Sequence, residues 1–280
     1  MAPGEVAFVL GGGGHLGAHE VGMLRALLER GIVPDLVVGT SIGAINGATV
    51  AADPTTAAVA RLSEVWTRIE RSDAFDGSIV GRLATLARTR THLHDNHALR
   101  GLLEEALPVG RIEELAVRFE CVAACVETAS ERWFTSGPLV DAVLASSAVP
   151  GILPPVEIDG QHFLDGGIVN SIPVGRAAAL GAREIYVLHV GRVEQPLEPP
   201  RWPWEVGLVA FEIARRHRFF GDLAALADDI EVHVMPTGRA SSPAGFSSLR
   251  FGDTSRIRDH ISSAYEASLR YLNEEPRGER

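Results

Sequence analysis

The chain has few cysteines, no basic tract and no long apolar run, and each shortage argues against a class of function. Only Cys121 and Cys125 occur in 280 residues. They fall on a predicted strand, Arg118 to Glu127, where a spacing of four residues separates them by roughly 13 Å. A disulfide needs Cα atoms within about 7 Å. Their spacing also differs from the Cys-x-x-Cys of redox and zinc sites, so both are expected as buried free thiols. The net charge is −10, which speaks against nucleic acid as a partner, because affinity there comes largely from Lys and Arg on phosphates. The same balance disfavours simple electrostatic docking to anionic lipid. No window reaches the roughly 18 apolar residues of a membrane span. The start, Met1-Ala2-Pro3-Gly4-Glu5, lacks the cations of a signal peptide. These features read as a cytoplasmic protein whose membrane contact, if any, is transient and at the surface.

Bulk composition is that of a globular chain. Val6-Ala7-Phe8-Val9-Leu10 is a continuous apolar run that suits a strand buried on both faces. Ala18 to Arg30 carries Val21, Leu24, Leu27 and Leu28 at helical spacing, with Gly31 as a stop. Leu36-Val37-Val38 predicts a second strand and Ile42 to Ala52 a small-residue helix. Strand, turn and helix, repeated, open an α/β fold with a parallel sheet. Further helices are predicted at Thr55–Arg71, Ile79–Arg88, Ala98–Leu107, Val140–Ser147 and Pro173–Leu180. Strands follow at Phe119–Val126, Glu131–Thr135 and Glu184–Val190, and Val156 to Leu164 reads as a hairpin. A Pro- and Trp-rich linker, Gln195–Trp204, leads to a helix ending near Ala227, a strand Glu231–Met235 and a closing helix Arg256–Leu272. No repeat or domain boundary interrupts this pattern, so one domain over residues 1–280 is expected.

Three segments carry the chemistry. Gly11-Gly12-Gly13-Gly14-His15-Leu16-Gly17 lies between a strand and a helix. Its Gly12, Gly14 and Gly17 match a dinucleotide fingerprint, with Asp35 as the acidic residue about twenty positions on. The same backbone N–H groups could instead hold the oxyanion of a tetrahedral intermediate, or merely form a tight turn. Gly39-Thr40-Ser41-Ile42-Gly43 fits the Gly-x-Ser-x-Gly elbow, in which a strand turns sharply into a helix and presents a serine. The bland alternative is Ser41 as an N-cap. Asp165, in Leu164-Asp165-Gly166-Gly167, follows a strand and could serve as the base a serine needs. Asp-Gly alone is an ordinary turn pair.

In this order, the segments resemble the patatin-like phospholipases, or lipid acyl hydrolases. Ala145 to Pro155 (ASSAVPGILPP) and Asn170-Ser171-Ile172-Pro173-Val174 add to the likeness, which spans about residues 5 to 190. The resemblance implies a three-layer α/β/α sandwich with a mainly parallel central sheet, completed by residues 204–273. It implies a Ser-Asp dyad, with Ser41 as nucleophile and Asp165 as base. The N–H groups of Gly12, Gly13 and Gly14 would form the oxyanion hole. The implied reaction is hydrolysis of a carboxylic ester, often in a lipid, through an acyl-enzyme and without metal or cofactor. Acyl transfer or cyclisation from the same intermediate is an alternative. Many members carry Arg or Lys where this chain has Leu16, so a carboxylic ester ranks ahead of a phospholipid as substrate. His15, adjacent, could partly supply the missing charge.

Other residues attract notice without joining the pattern. His92, His94 and His97 are possible ligand types for a metal, but a solvated loop-to-helix junction explains them as well. Ser146 and Ser147 are expected to cap or line the site. Trp202, Trp204, Phe211, Phe219 and Phe220 could make an apolar surface for lipid access, with core packing of a long helix the favoured explanation.

Overall fold

A computed structural model describes residues 5–71, 95–190, 196–238 and 257–274. The first strand, β1 (Glu5–Leu10), runs through Gly11–Gly13 into a single 3-10 turn, Gly14–Gly17, and then α1 (Ala18–Glu29). Next come β2 (Leu36–Thr40), α2 (Ile42–Ala52), α3 (Thr56–Arg71) and α4 (His97–Ala106). A hairpin of β3 (Arg118–Cys125) and β4 (Ser130–Phe134) precedes α5 (Leu139–Ser146), β5 (Val156–Ile158) and β6 (Gln161–Asp165). The chain continues through α6 (Gly167–Asn170), α7 (Val174–Ala179), β7 (Ala182–Leu188), α8 (Pro203–Ala224), β8 (Glu231–Val234) and α9 (Ile257–Glu274). Strand and helix positions follow the apolar periodicity to within a few residues. The helix expected at 79–88 lies outside the described residues.

All eight strands join one sheet, in the order β5-β6-β3-β2-β1-β7-β8, with β4 on β3. The central pairs β3/β2, β2/β1, β1/β7 and β7/β8 are parallel. Antiparallel pairing is confined to β4, β5 and β6. Alternate residues of the central strands feed two cores. Phe8, Leu10, Val37, Phe119 and Leu188 pack with α1 to α5 and α9. Ala7, Val9, Leu36, Val38 and Val187 pack with α7 and Phe219 of α8. Two helical layers therefore enclose a mostly parallel sheet, as expected. Cys121 and Cys125 are free and buried on β3.

The register on β3 places the site. Parallel β2 uses Arg118 to Val122, its last pair being Thr40 with Val122. Antiparallel β6 uses Ala123 to Cys125, its last pair being Asp165 with Ala123. Because β4 occupies the other edge at residues 121–125, β2 and β6 meet end to end along one edge of β3. The residues beyond Thr40 and at Asp165 are thus brought together by a shared neighbour, although 124 positions separate Ser41 from Asp165 in the chain.

Candidate active site

Ser41 lies between the end of β2 and the start of α2, with φ 55° and ψ −124°. A non-glycine residue rarely holds this conformation, which costs on the order of 1–3 kcal/mol and persists only where surroundings enforce it. Several contacts do so. The Ser41 N–H donates to Ser146 Oγ at 2.9 Å, and Ala44 N–H donates to Ser41 C=O at 2.8 Å. The preceding Thr40 hydroxyl donates to Asn170 C=O at 2.8 Å. Gly43 lets α2 pass directly over β1: a Cβ there would overlap the Leu10 carbonyl. The sharp turn presents the hydroxyl at the N-terminal end of α2, where the helix dipole favours developing negative charge.

The Ser41 hydroxyl donates to Asp165 Oδ2 at 2.5 Å. The other carboxylate oxygen, Oδ1, accepts the Gly167 N–H at 2.7 Å. Asp165 N–H and Gly166 N–H are tied to Ala148 C=O and Ser146 C=O at 2.9 and 3.1 Å. Gly166 is required by close approach, since a Cβ would run into the Val122 carbonyl. Ser41 and Asp165 are only 7% and 6% exposed. Burial pushes the Asp165 carboxyl up to about 6, against the partly compensating hydrogen bonds from Ser41 and the Gly167 N–H. Asp165 is therefore mostly ionised at neutral pH. Neither Ser41 nor Asp165 is hydrogen-bonded to a histidine among the described residues. His189, beside Gly11, is buried; desolvation, with the charges of Arg215 and Arg216, lowers it to about 3 and keeps it neutral.

The glycine loop lies against this pair, but its members differ. Gly12 N–H donates to Ser171 C=O at 3.0 Å, so this donor already has a partner. Gly13 and Gly14 make no N–H hydrogen bond to another described residue. Gly12 lies close to the Ser41 side chain: a Cβ built on it would stand 3.5 Å from Ser41 Cβ. Leu16 brings no charge to the loop; its C=O is hydrogen-bonded to His19 Nδ1 at 2.9 Å.

The dinucleotide alternative fails on position. Asp35 N–H donates to Val6 C=O, and Asp35 Oδ2 accepts the Val6 N–H at 2.9 Å. Asp35 therefore sits at the opening ends of two parallel strands, whereas the glycine loop follows their closing ends. An acid there cannot meet a ribose bound at the loop. His92 and His94 lie outside the described residues, and His97 opens α4. Among the described residues no three His, Cys, Asp or Glu side chains converge as metal ligands.

Core packing accounts for only part of the aromatic group. Phe219 is buried, but Trp202, Phe211 and Phe220 are exposed. Trp202, Val206, Ile213 and Phe220 recur along one flank of α8. Phe211 reaches the site, its ring 3.5 Å from where a Gly167 Cβ would stand. Sequence reasoning singled out the segments containing Ser146, Asn170 and Ser171 but gave none of these its contact. Their partners, the Ser41 N–H, the Thr40 hydroxyl and the Gly12 N–H, lie more than 100 residues away, and spacing carries no signal for them.

Comparison with known proteins adds the family. The family model for patatin-like phospholipase matches residues 8–178. The patatin-like phospholipase domain-containing protein ZK370.4 of Caenorhabditis elegans is 36% identical over 198 residues, covering 68% of this chain and 14% of that protein. Lysophospholipase NTE1 of Eremothecium gossypii is 31% identical over 189 residues, covering 68% of this chain and 12% of its own length. The chain thus spans a small fraction of these curated relatives. Among solved structures, VipD from Legionella pneumophila aligns loosely, with a TM-score of 0.47 and 15% identity over 97% of this chain and 67% of that one. With the family model covering more than half of its residues, the chain belongs to the patatin-like phospholipase family.

Proposed function

We propose that the chain is a serine hydrolase of carboxylic esters, acting on lipid acyl esters through a Ser41–Asp165 dyad. The observation that carries this reading is the 2.5 Å hydrogen bond from a strained, elbow-held Ser41 hydroxyl to a buried Asp165 carboxylate. Asp165 takes the Ser41 proton as Oγ attacks the ester carbonyl. The resulting oxyanion is held by the N–H groups of Gly13 and Gly14 and by the N-terminal end of α2. Gly12 instead anchors the loop on Ser171. Asp165 returns the proton to the departing alcohol, then takes one from water as it attacks the acyl-enzyme and gives it to Ser41 Oγ as the acid leaves.

Membership of the family, with lysophospholipase NTE1 among the relatives, supports a lipid ester as substrate class. Among the described residues no helix is long and apolar enough to cross a membrane. The exposed apolar flank of α8, on the side of the helix away from Phe211, offers a surface for transient contact with lipid. A fluorophosphonate probe should label the wild-type chain and leave Ser41→Ala unlabelled. Equal labelling of the two would sink the assignment.

A further inference from the structure

A second buried carboxyl lies behind the glycine loop and has no part in the chemistry proposed above. Glu20, in the first turn of α1, is fully buried. Its Oε2 accepts a hydrogen bond from Asn46 Nδ2 at 2.8 Å. The same Asn46 Nδ2 donates to Gly17 C=O at 3.0 Å. Trp66 Nε1 donates to Asn46 Oδ1 at 3.1 Å and so fixes which way the amide faces. Glu20 Oε1 has no hydrogen-bond partner. Burial raises the Glu20 carboxyl well above its ordinary range, with Asn46 and the Gly11 backbone partly opposing the shift. Among the described residues no cation pairs with it, and burial favours its uncharged form.

The placement of these side chains matters more than their number. Gly11 and Gly17 are the two ends of the loop that carries Gly13 and Gly14. Asn46 joins Glu20 to the carbonyl at the second end, donating from one amide nitrogen to both. Asn46 belongs to α2, the helix that Ser41 opens. The second end of the loop also packs on Ile42, the residue after Ser41, and on Trp66. A glycine run has little stiffness of its own, yet oxyanion donors help only when held within a fraction of an ångström of the developing charge.

We propose that Glu20, Asn46 and Trp66 form a buried strut that sets the glycine loop against the nucleophile helix, making Glu20 a positioning residue for the oxyanion donors. This rests on the dyad reading above. The strut works through hydrogen-bond acceptance and not through charge. An amide at position 20 should therefore serve, whereas a side chain of similar length without an acceptor should not.

The test compares Glu20→Gln, Glu20→Met, Asn46→Ala and Trp66→Phe in hydrolysis of a p-nitrophenyl ester, with folding followed by circular dichroism and Ser41→Ala as control. Glu20→Met and Asn46→Ala should lose roughly ten- to a hundredfold in kcat, with KM within about twofold, the size expected for misplaced donors. Glu20→Gln should stay within about twofold of wild type and Trp66→Phe should lose about threefold. Wild-type kcat in folded Glu20→Met and Asn46→Ala, a loss confined to KM, or Glu20→Gln as slow as Glu20→Met would each overturn the strut. If Glu20→Met does not fold, Asn46→Ala and Trp66→Phe carry the test, and wild-type kcat in both overturns it. An active Ser41→Ala would overturn the dyad itself, separately from the strut.

Discussion

The surroundings of Asp165 and of Glu20 use one functional group in two ways. Both carboxyls are buried, and in both burial raises the pKa. Asp165 stands at the end of an antiparallel strand and receives the Ser41 hydroxyl and the Gly167 N–H. Those donors favour its charged form, so its pKa rises only to about 6. Glu20 stands on a helix behind the loop, with one oxygen on Asn46 and, among the described residues, the other unbonded, so burial favours its uncharged form. Desolvation is common to both; at Asp165 the Ser41 hydroxyl and the Gly167 N–H hold the rise to about 6, near neutral pH, whereas Glu20 is raised well above its ordinary range and only holds a partner.

The comparison can be broken most decisively at Ser41, the proposed nucleophile. Ser41→Ala should lower kcat by about 10⁴-fold or more, read by steady-state hydrolysis of a soluble aryl ester. Asp165→Asn should follow at about 10³- to 10⁴-fold. The same carboxyl-to-amide change at Glu20 should do almost nothing, and equal losses at the two positions would erase the distinction. A pH profile of kcat/KM sharpens it further. In the proposed mechanism Asp165 must be ionised to accept the proton, and its pKa is raised, so activity should be full above the midpoint and fall about tenfold per unit below it. The midpoint should lie near 6. Glu20→Gln should leave that midpoint unmoved. Ser146→Ala removes the acceptor of the Ser41 N–H, leaving a buried donor unmet at a cost of about 1–3 kcal/mol. It should lower Tm by several degrees and kcat by about tenfold. The smallest effect is expected at the surface. Replacing Ile213 and Phe220 by Ser should slow hydrolysis of vesicle-borne lipid about two- to fivefold while leaving the soluble ester unchanged, as measured with the two substrates in parallel.

Much of the site was legible in the chain, and for a local reason. Glycine placement between an apolar strand and a helix was enough to find the loop and the elbow, although the contacts that hold the elbow come from Ser146 and Asn170, far along the chain. Asp165 was legible as a turn residue at the end of a strand, and its pairing with Ser41 was expected only by resemblance. Gly12 shows where this reasoning stops. Nothing local separates it from Gly13 and Gly14, yet Ser171 C=O takes its N–H. The exposed aromatics of α8 are a second case, because helical spacing records which residues share a face but not which face meets the core.

The sequence by itself determined the strand–turn–helix units, the small residues that permit the elbow, and the buried thiols of β3. Apolar periodicity and backbone sterics act over short spans, so they can be read without a fold. Only the tertiary structure decided that β2 and β6 share one edge of β3, which brings Asp165 to the Ser41 hydroxyl. It alone placed Ser146 under the Ser41 amide, Asp35 at the far end of the sheet, and Asn46 between Glu20 and the Gly17 carbonyl. These relations join residues from separate elements through packing and hydrogen bonds, and such partners leave no period or spacing in the chain.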